Sequence, residues 1–347
     1  MRIRAFITHK DQEQFSDCQD RFRVNKDTKS IALADGMSQS IFQKTWAQLL
    51  VDNYTTIEQW EPTIGSVREL APQWHEQVMA IIPSLMPAAQ RRSRNSLAMG
   101  MSAGSTFVGI RFNENKWEGW VLGDSCLIVA DKNNKVVKIE TSQEGQFDSH
   151  PDYFDSNPNK DGKGQPKTIS GELHQGDKLF LVSDPFSDIL YANQGSDKIM
   201  DLICELLAIG NHEDFEAIVA KWREQGMHND DSTLVVVEFD GTNDFDVIHE
   251  DHIDEFIETE KQQDSSSTLA GYSNGDNLGT ESTPKAETEE FHIDEECETL
   301  KEYLSEVADK FIDSLPKILK KQKEHFKKKF KNQLFKALDC YYKFERK

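Results

Sequence analysis

The chain has 347 residues, and its 61 acidic residues outnumber its 40 basic residues, for a formal charge of −21. This balance argues against nucleic acid or an anionic membrane as the partner of the whole chain. Hydrophobic residues make up 37% of the sequence, which predicts that part of the chain lies outside any core. No apolar stretch is long enough for a membrane span or a secretory signal, and the cysteines are scattered, so we expect a cytoplasmic protein.

The first segment, residues 1–240, carries dense apolar periodicity and is predicted to be the folded domain. Helical patterns lie around 41–57, 67–85 and 198–225. Strand-like runs occupy 31–34, 105–112, 117–122, 127–130, 178–182 and 232–239. Runs of strands with segregated helices predict an α+β fold rather than an alternating parallel-sheet fold.

Two further segments differ in composition from the first. Residues 241–297 are rich in Asp, Glu, Ser, Gly and Asn, which predicts an acidic, disordered linker. Residues 298–347 form a basic amphipathic helical pattern, interrupted at Pro316. This tail either folds onto the preceding domain or onto itself, or it binds a protein partner or a second copy, for instance as a coiled coil. A position on a membrane surface is a further alternative.

Short acidic signatures stand at the ends of the strand-like runs. A lone Asp-Gly pair is most often a turn, so each signature is weak by itself. The order of the set along the chain is more specific. In chain order they are Cys18-Gln19-Asp20, Ala34-Asp35-Gly36, Gly123-Asp124-Ser125, Ser183-Asp184-Pro185 and Asp230-Asp231-Ser232-Thr233.

Together with Gly104-Ser105-Thr106, this series resembles the motifs of the metal-dependent serine/threonine protein phosphatases, the PPM family or type 2C phosphatases, in their bacterial form. The resemblance covers residues 1–240. It implies two antiparallel β-sheets packed face to face with helix pairs on both outer sides, an α-β-β-α sandwich, followed here by the C-terminal helical tail. This architecture agrees with the α+β pattern read from the residues.

The resemblance also implies a site for two Mn²⁺ or Mg²⁺ ions and a weaker third ion. Asp35 would bridge the two ions, and Asp35 and Asp230 would be the catalytic residues. Asp124 would help to hold the third ion, and Asp20 would support the site through waters. The implied metal ligands are Asp35, Gly36 through its carbonyl, Asp184, Asp230, Asp124 and Asp20.

The chemistry of the carboxylates is consistent with this expectation. Hard divalent cations prefer oxygen ligands and retain waters, whereas several carboxylates packed together without cations repel one another. The implied reaction is hydrolysis of phosphoserine or phosphothreonine in proteins by a metal-activated water, without a covalent intermediate. The implied partners are a phosphoprotein substrate and a partner kinase.

Three positions depart from the family pattern. Phe15 stands where an arginine usually grips the substrate phosphate, Pro185 replaces a glycine, and Cys126 replaces an arginine. Arg4 and Arg21 are candidate substitutes for the missing arginine. The departures favour an alternative: a weak or inactive pseudophosphatase that acts as a regulatory binding module through its fold and its C-terminal helix. A self-assembling scaffold is a third hypothesis.

Overall fold

The computed structural model describes residues 1–143 and 151–270, and most of its strands belong to two large sheets. The strands are β1 (Arg2–Thr8), β2 (Arg21–Asn25), β3 (Ser30–Ala34), β4 (Gly104–Ser105), β5 (Phe107–Asn113), β6 (Lys116–Leu122), β7 (Cys126–Ala130), β8 (Val136–Glu140), β9 (Phe154–Asp155), β10 (Lys167–Glu172), β11 (Lys178–Val182), β12 (Ser232–Glu238) and β13 (Asp246–Glu250). The helices are α1 (Gln43–Thr56), α2 (Ile64–Arg68), α3 (Ala71–Ile81), α4 (Pro87–Ala98), α5 (Asp184–Ala192), α6 (Lys198–Ala208), α7 (His212–Glu224) and α8 (Ile253–Ala270).

The larger sheet has six strands in the order β13-β1-β12-β11-β7-β8, and the other has five in the order β10-β6-β5-β3-β2. Neighbouring strands are antiparallel throughout, with one exception at the edge of the larger sheet, where β13 pairs parallel to β1. Strands β4 and β9 form a separate two-stranded sheet.

Alternation along each strand explains why the sheets stack. In β11, Leu179 and Leu181 point into the layer between the two sheets, and Phe180 and Val182 point to the opposite face. Successive side chains of a strand lie on opposite faces, so a strand with apolar residues at every position must be covered on both sides. The inter-sheet layer also contains Ile31 of β3.

Helices cover the two outer faces. Helices α5, α6 and α7 pack on the six-stranded sheet, where Phe186 and Trp222 are fully buried. Helices α1 and α3 pack on the five-stranded sheet, where Trp46 and Trp74 join Phe107. The protein is therefore an α-β-β-α sandwich of the α+β class, and the fold predicted from the sequence is confirmed.

The folded part extends beyond residue 240, which corrects the start of the predicted linker. Strand β13 and helix α8 lie within residues 241–297, and β13 closes the edge of the larger sheet next to β1. Asp251, which follows β13, is buried and accepts a hydrogen bond from the amide of Ile7 at 3.0 Å. Composition marked this stretch as solvated, but one short strand needs only an open sheet edge to become ordered. The tail predicted for 298–347 lies outside the described residues.

One helical detail also differs from the sequence prediction. The pattern at 198–225 divides into α6 and α7, because Gly210 and Asn211 interrupt it and the Asn211 side chain caps α7 by accepting from the amide of Asp214. The basic residues Arg91–Arg94 lie on α4, which Pro87 opens. Among the described helices, none is long and apolar enough to cross a membrane.

Candidate metal centre

One end of the six-stranded sheet carries three of the predicted acidic residues. Strand β11 ends at Val182, which pairs with Cys126 at the start of β7 and with Leu234 near the start of β12. The turn before β7, the loop before β12 and the start of α5 therefore meet at the same end of this sheet. These segments carry Asp124, Asp230 and Asp184, in that order.

The five-stranded sheet contributes the other two acidic residues. Arg21 at the start of β2 pairs with Ala34 at the end of β3, so Asp20, just before β2, and Asp35, just after β3, lie at the same end of this sheet. The carbonyl of Asp35 accepts hydrogen bonds from the amide of Thr106 at 2.9 Å and from the Ser105 hydroxyl at 2.7 Å, which holds the segment after β3.

Gly36 allows this segment to approach its neighbours closely. A Cβ atom at this position would lie 2.9 Å from the carbonyl oxygen of Gln19. Gly123, with a φ of +92°, has a similar role in the turn before Asp124, where a Cβ would lie 2.5 Å from the carbonyl of Asp152. Both glycines are required by close backbone contact rather than by flexibility alone.

The five predicted acidic side chains converge. Burial raises the pKa of Asp35 well above its usual value, and the negative charges of Asp20, Asp184, Asp124 and Asp230 raise it further. These residues are separated by up to 210 positions of sequence, since Asp20 and Asp230 are numbered 20 and 230. The predicted carboxylates are therefore close enough to influence one another electrostatically, and Asp184 and Asp230 offer oxygens within 4.8 Å of each other.

At this centre, two buried carboxylate oxygens have no hydrogen-bond partner among the described residues. They are Oδ1 of Asp20 and Oδ1 of Asp124. Burial, with the charge of Asp184, raises the pKa of Asp124 to about 8, and burial likewise raises the pKa of Asp184 to about 6. Buried oxygens of this kind must be protonated or must face a cation. The oxygen-only donor set fits Mn²⁺ or Mg²⁺.

Two basic side chains also reach the carboxylates. The Lys10 ammonium lies 2.9 Å from Asp230 Oδ1, and His228 Nε2 lies 2.9 Å from Asp184 Oδ2. The other ring nitrogen of His228 lies 3.3 Å from Asp188. These two hydrogen bonds raise the pKa of His228 to about 10. Ligand atoms of Asp184, His228 and Asp230 all lie within 4.8 Å of one another.

Asp231 and Arg223 hold the surrounding loops together. Asp231 is buried, and its two oxygens accept from the amide of Lys10 at 3.0 Å and the amide of Gln19 at 2.7 Å. Arg223 donates to the carbonyl of His9 at 3.0 Å and to the carbonyl of Asp230 at 2.8 Å. The loop after β1 and the loop before β12 are therefore joined on both sides of the centre.

The hydroxyl groups next to the acidic residues have structural roles. The Thr233 hydroxyl donates to Asp20 Oδ2 at 2.7 Å, and the Ser183 hydroxyl accepts from the amide of Thr233 at 2.9 Å. The hydroxyl groups of Ser125 and Thr106 are hydrogen-bonded to each other at 2.6 Å. These contacts orient the carboxylates and join the strand ends.

The three departures have different structural consequences. Pro185 occupies the first turn of α5, where a missing amide hydrogen costs nothing, so Asp184 begins a helix rather than a turn. Cys126 is buried, and its thiol donates to the carbonyl of Asp124 at 3.2 Å. Phe15 is buried, and its ring stacks on that of Phe256 with centroids 4.5 Å apart.

The two arginines considered as substitutes are both engaged by other protein groups. Arg4 donates to the carbonyls of Leu207 and Ile209 and pairs with Glu238, on the helix-covered side of the larger sheet. Arg21 donates to the carbonyls of Cys18 and Asp20.

No role was predicted from the sequence for Lys10, Asp231, Arg223 or His228. Asp231 and His228 flank Asp230 in the sequence, and this proximity was the available signal. Lys10 lies in the loop after β1 and Arg223 lies within α7, and neither has a local sequence feature that distinguishes it from solvent-exposed basic residues.

Comparison with known proteins points to one family. Residues 9–224, more than half of the chain, match the family described as Protein phosphatase 2C. No curated protein shows significant sequence similarity to the chain.

Solved structures are similar at low identity. One is PppA, described as a key regulatory component of T6SS in Pseudomonas aeruginosa, with 18% identity, a TM-score of 0.45, and coverage of 68% of this chain and 96% of PppA. A second is the catalytic domain of the serine/threonine phosphatase PstP in complex with two manganese ions, with 18% identity, a TM-score of 0.44, and coverage of 67% and 96%. A third is the phosphatase PstP/Ppp of Mycobacterium tuberculosis, with 16% identity, a TM-score of 0.43, and coverage of 69% and 98%.

Proposed function

Because the chain belongs to the protein phosphatase 2C family, we propose that it hydrolyses phosphoserine and phosphothreonine esters in proteins with the help of two Mn²⁺ or Mg²⁺ ions. The observation that supports this most is the convergence of five carboxylates on Asp35, with buried oxygens of Asp20 and Asp124 that lack a protein partner. Nothing in a core requires so many acids to meet, since each adds repulsion and a desolvation cost.

We assign the proposed cation ligands as the sequence predicted them. Asp35 would hold both ions, and Asp184 and Asp230 one of them, while Asp124 would hold a weaker third ion and Asp20 would act through waters. The carbonyl of Gly36 would add a further oxygen. When bound, such ions lower the pKa of a water and polarise phosphoryl oxygens.

The protein's own side chains position these ligands. The Thr233 hydroxyl orients Asp20, and the Asp231 carboxylate holds the loop that carries Lys10. These contacts between protein groups hold Asp20 and the loop of Lys10 in place, so less reorganisation is needed at the reaction step.

The physiological partners are part of the same proposal. A phosphoprotein is the substrate, a partner kinase acts on the same sites, and the tail at 298–347 provides association with a partner or a second copy. The described cysteines, Cys18, Cys126 and Cys204, are free thiols, in keeping with a reducing cytoplasm.

The proposed activity is tested with an aryl phosphate and a phosphothreonine peptide. We expect turnover with Mn²⁺, loss of turnover with a chelator, and a decrease of at least about 100-fold, or ~2.7 kcal/mol of transition-state stabilisation, in Asp35→Asn and Asp230→Asn. Asp27→Asn, a change at an exposed turn, is the matched control and should keep full activity. Wild-type protein that is inactive with both Mn²⁺ and Mg²⁺ would contradict the proposal.

A regulatory module without activity is the second candidate, and one observation favours it. Phe15 is part of a buried aromatic cluster at the position where the family's arginine would face substrate. The two candidates differ in one outcome: a binding module would bind Mn²⁺ and a phosphoprotein but would release no phosphate.

A further inference from the structure

The loop after β1 places one lysine at the candidate metal centre. The ammonium group of Lys10 lies 2.9 Å from Asp230 Oδ1 and 2.9 Å from the hydroxyl of Ser38, three residues after Asp35. The side chain is 14% exposed, so most of its stem is covered and its charged end lies at the carboxylates. A cation therefore stands between the segments that carry two of the proposed cation ligands.

A phosphomonoester needs such a cation. The phosphoryl group carries negative charge on its oxygens, and protein sites bind it through charged donors in addition to metal ions. Phe15 supplies no charge. Its ring stacks on that of Phe256 and contacts the His9 ring edge-on, with centroids 4.7 Å apart, and its backbone amide donates to Glu260 Oε1 at 3.0 Å. Substrate binding therefore requires a donor from another part of the chain.

Lys10 has a donor that its described contacts do not use. An ammonium group has three donors, and the contacts to Asp230 and Ser38 account for two of them. His228 is less suited to the role, because both of its ring nitrogens are engaged by Asp184 and Asp188.

The position of Lys10 is fixed by contacts on both sides. The amide of Lys10 donates to Asp231. Arg223 binds both neighbours of Lys10, the carbonyl of His9 and the carboxylate of Asp11. Arg223 also donates to the carbonyl of Asp230 and so connects this loop to the loop before β12. A short loop held at three successive residues keeps its side chain in a defined place, which is what binding of a small anion requires.

We propose that the ammonium group of Lys10 binds a non-bridging phosphoryl oxygen of the phosphomonoester substrate, next to the Ser38 hydroxyl, and takes the place of the arginine that Phe15 replaces. The inference rests on the proposed phosphatase function. Asp230 pairs with Lys10; cations bound at Asp230 would share its negative charge and leave the ammonium available to the substrate anion.

The test measures the affinity of inorganic phosphate for the Mn²⁺-loaded full-length protein by calorimetry, together with kcat and KM for an aryl phosphate. Lys10→Met keeps the length of the stem and removes the charge, and Lys10→Gln is a second neutral variant in case the first folds poorly. Both should weaken phosphate binding about 10- to 100-fold and raise KM similarly, with a smaller change in kcat. Lys10→Arg should restore affinity to within about threefold of wild type.

A nearby lysine supplies the matched control. Lys44 on α1 donates to the carbonyl of Ser16 at 2.7 Å, so Lys44→Met removes the same charge from the neighbourhood without touching the carboxylates. We expect its phosphate affinity to equal that of wild type. Equal weakening in Lys44→Met and Lys10→Met would show a general charge effect and would overturn the proposal.

Two further results would also overturn it. One is unchanged phosphate affinity in both neutral Lys10 variants. The other is a Mn²⁺ affinity at least about tenfold weaker in those variants, because Lys10 would then support the metal ligands rather than the anion. The phosphate titration needs no turnover, so a wild-type protein that binds phosphate through Lys10 but hydrolyses nothing would contradict the proposed function alone.

Discussion

At the residue scale, Asp231 shows how a single side chain organises the centre. Its neighbour Asp230 faces the other carboxylates, whereas both oxygens of Asp231 are used by backbone amides of the loop between β1 and β2. A carboxylate that accepts two amides is strongly held, because hydrogen bonds to a charged group are about twice as strong as neutral ones. Two adjacent aspartates thus have different roles: Asp230 is a proposed ligand, and Asp231 holds the loop between β1 and β2 by hydrogen bonds.

A second residue-scale feature is the pair of histidines on Asp251. His212 Nδ1 and His249 Nε2 each lie 2.8 Å from this buried carboxylate, and the other nitrogen of His212 lies 3.4 Å from Glu216. Burial by itself would lower the pKa of His212, but the hydrogen bond and charge of Asp251, with the charge of Glu216, raise it above its usual 6.5. The charged ring therefore helps to hold β13 and α7 together.

The raised pKa of His212 predicts a pH-dependent contribution to stability. The stabilisation is complete below about pH 6.5 and is lost as pH rises through the higher pKa of the folded state. Urea unfolding of wild type and His212→Gln should therefore give a large stability difference at about pH 5.5 and a smaller one at about pH 8.5. His75→Gln, at an exposed position of α3, is the control for the substitution itself. A difference for His212→Gln that is independent of pH would refute the assignment.

At the scale of elements, β13 and α8 form a clamp on the start of the chain. β13 pairs with β1, and α8 brings Phe256 onto Phe15 and Glu260 to the amide of Phe15. These contacts hold the middle of the same loop that carries Lys10. The ring of Phe15 is thereby buried against Phe256 and does not face the carboxylates.

The clamp predicts where the chain can be shortened. A chain that ends at residue 274 should fold and keep its activity, because residues 1–274 form one compact unit. A chain that ends at residue 240 loses β13 and the Phe256 contact and leaves the edge of β1 open. We expect it to be at least ~2 kcal/mol less stable, which is about 4–8 °C in Tm for a domain of this size. Equal melting temperatures for the two chains would contradict the role assigned to β13 and α8.

At the scale of the whole molecule, the centre lies where two sheets meet. Asp20 and Asp35 come from the ends of the five-stranded sheet, and Asp124, Asp184 and Asp230 come from segments at the end of the six-stranded sheet. The layer between the sheets is apolar. At the end that carries the centre, polar contacts also join the two sheets, such as the hydrogen bond from Thr233 to Asp20. Cations at this position would link the two halves of the sandwich.

Cation binding is therefore expected to stabilise the entire fold. At a free Mn²⁺ concentration about 100 times its dissociation constant, one site adds ~2.7 kcal/mol, or about 5–10 °C in Tm. The change should be absent in Asp35→Asn and after addition of a chelator, and present in Asp27→Asn. This measurement separates cation binding from catalysis, because an inactive module would show the same shift. Lack of any Mn²⁺-dependent shift in the wild-type protein would argue against the proposed cation site.

The sequence by itself determined the local structure and the chemistry of the centre. Short apolar runs identified strands such as 178–182, because that signal is carried by residues close together in the chain. Asp35, Asp124, Asp184 and Asp230 were predicted from the order of the acidic signatures along the chain, through their resemblance to the phosphatase motifs. Only the tertiary structure decided how Lys10 reaches Asp230, how Asp231 holds the first loop, and that β13 completes the larger sheet. These contacts join residues more than 200 positions apart. Their geometry depends on strand register and on the stacking of two sheets, which no local pattern encodes.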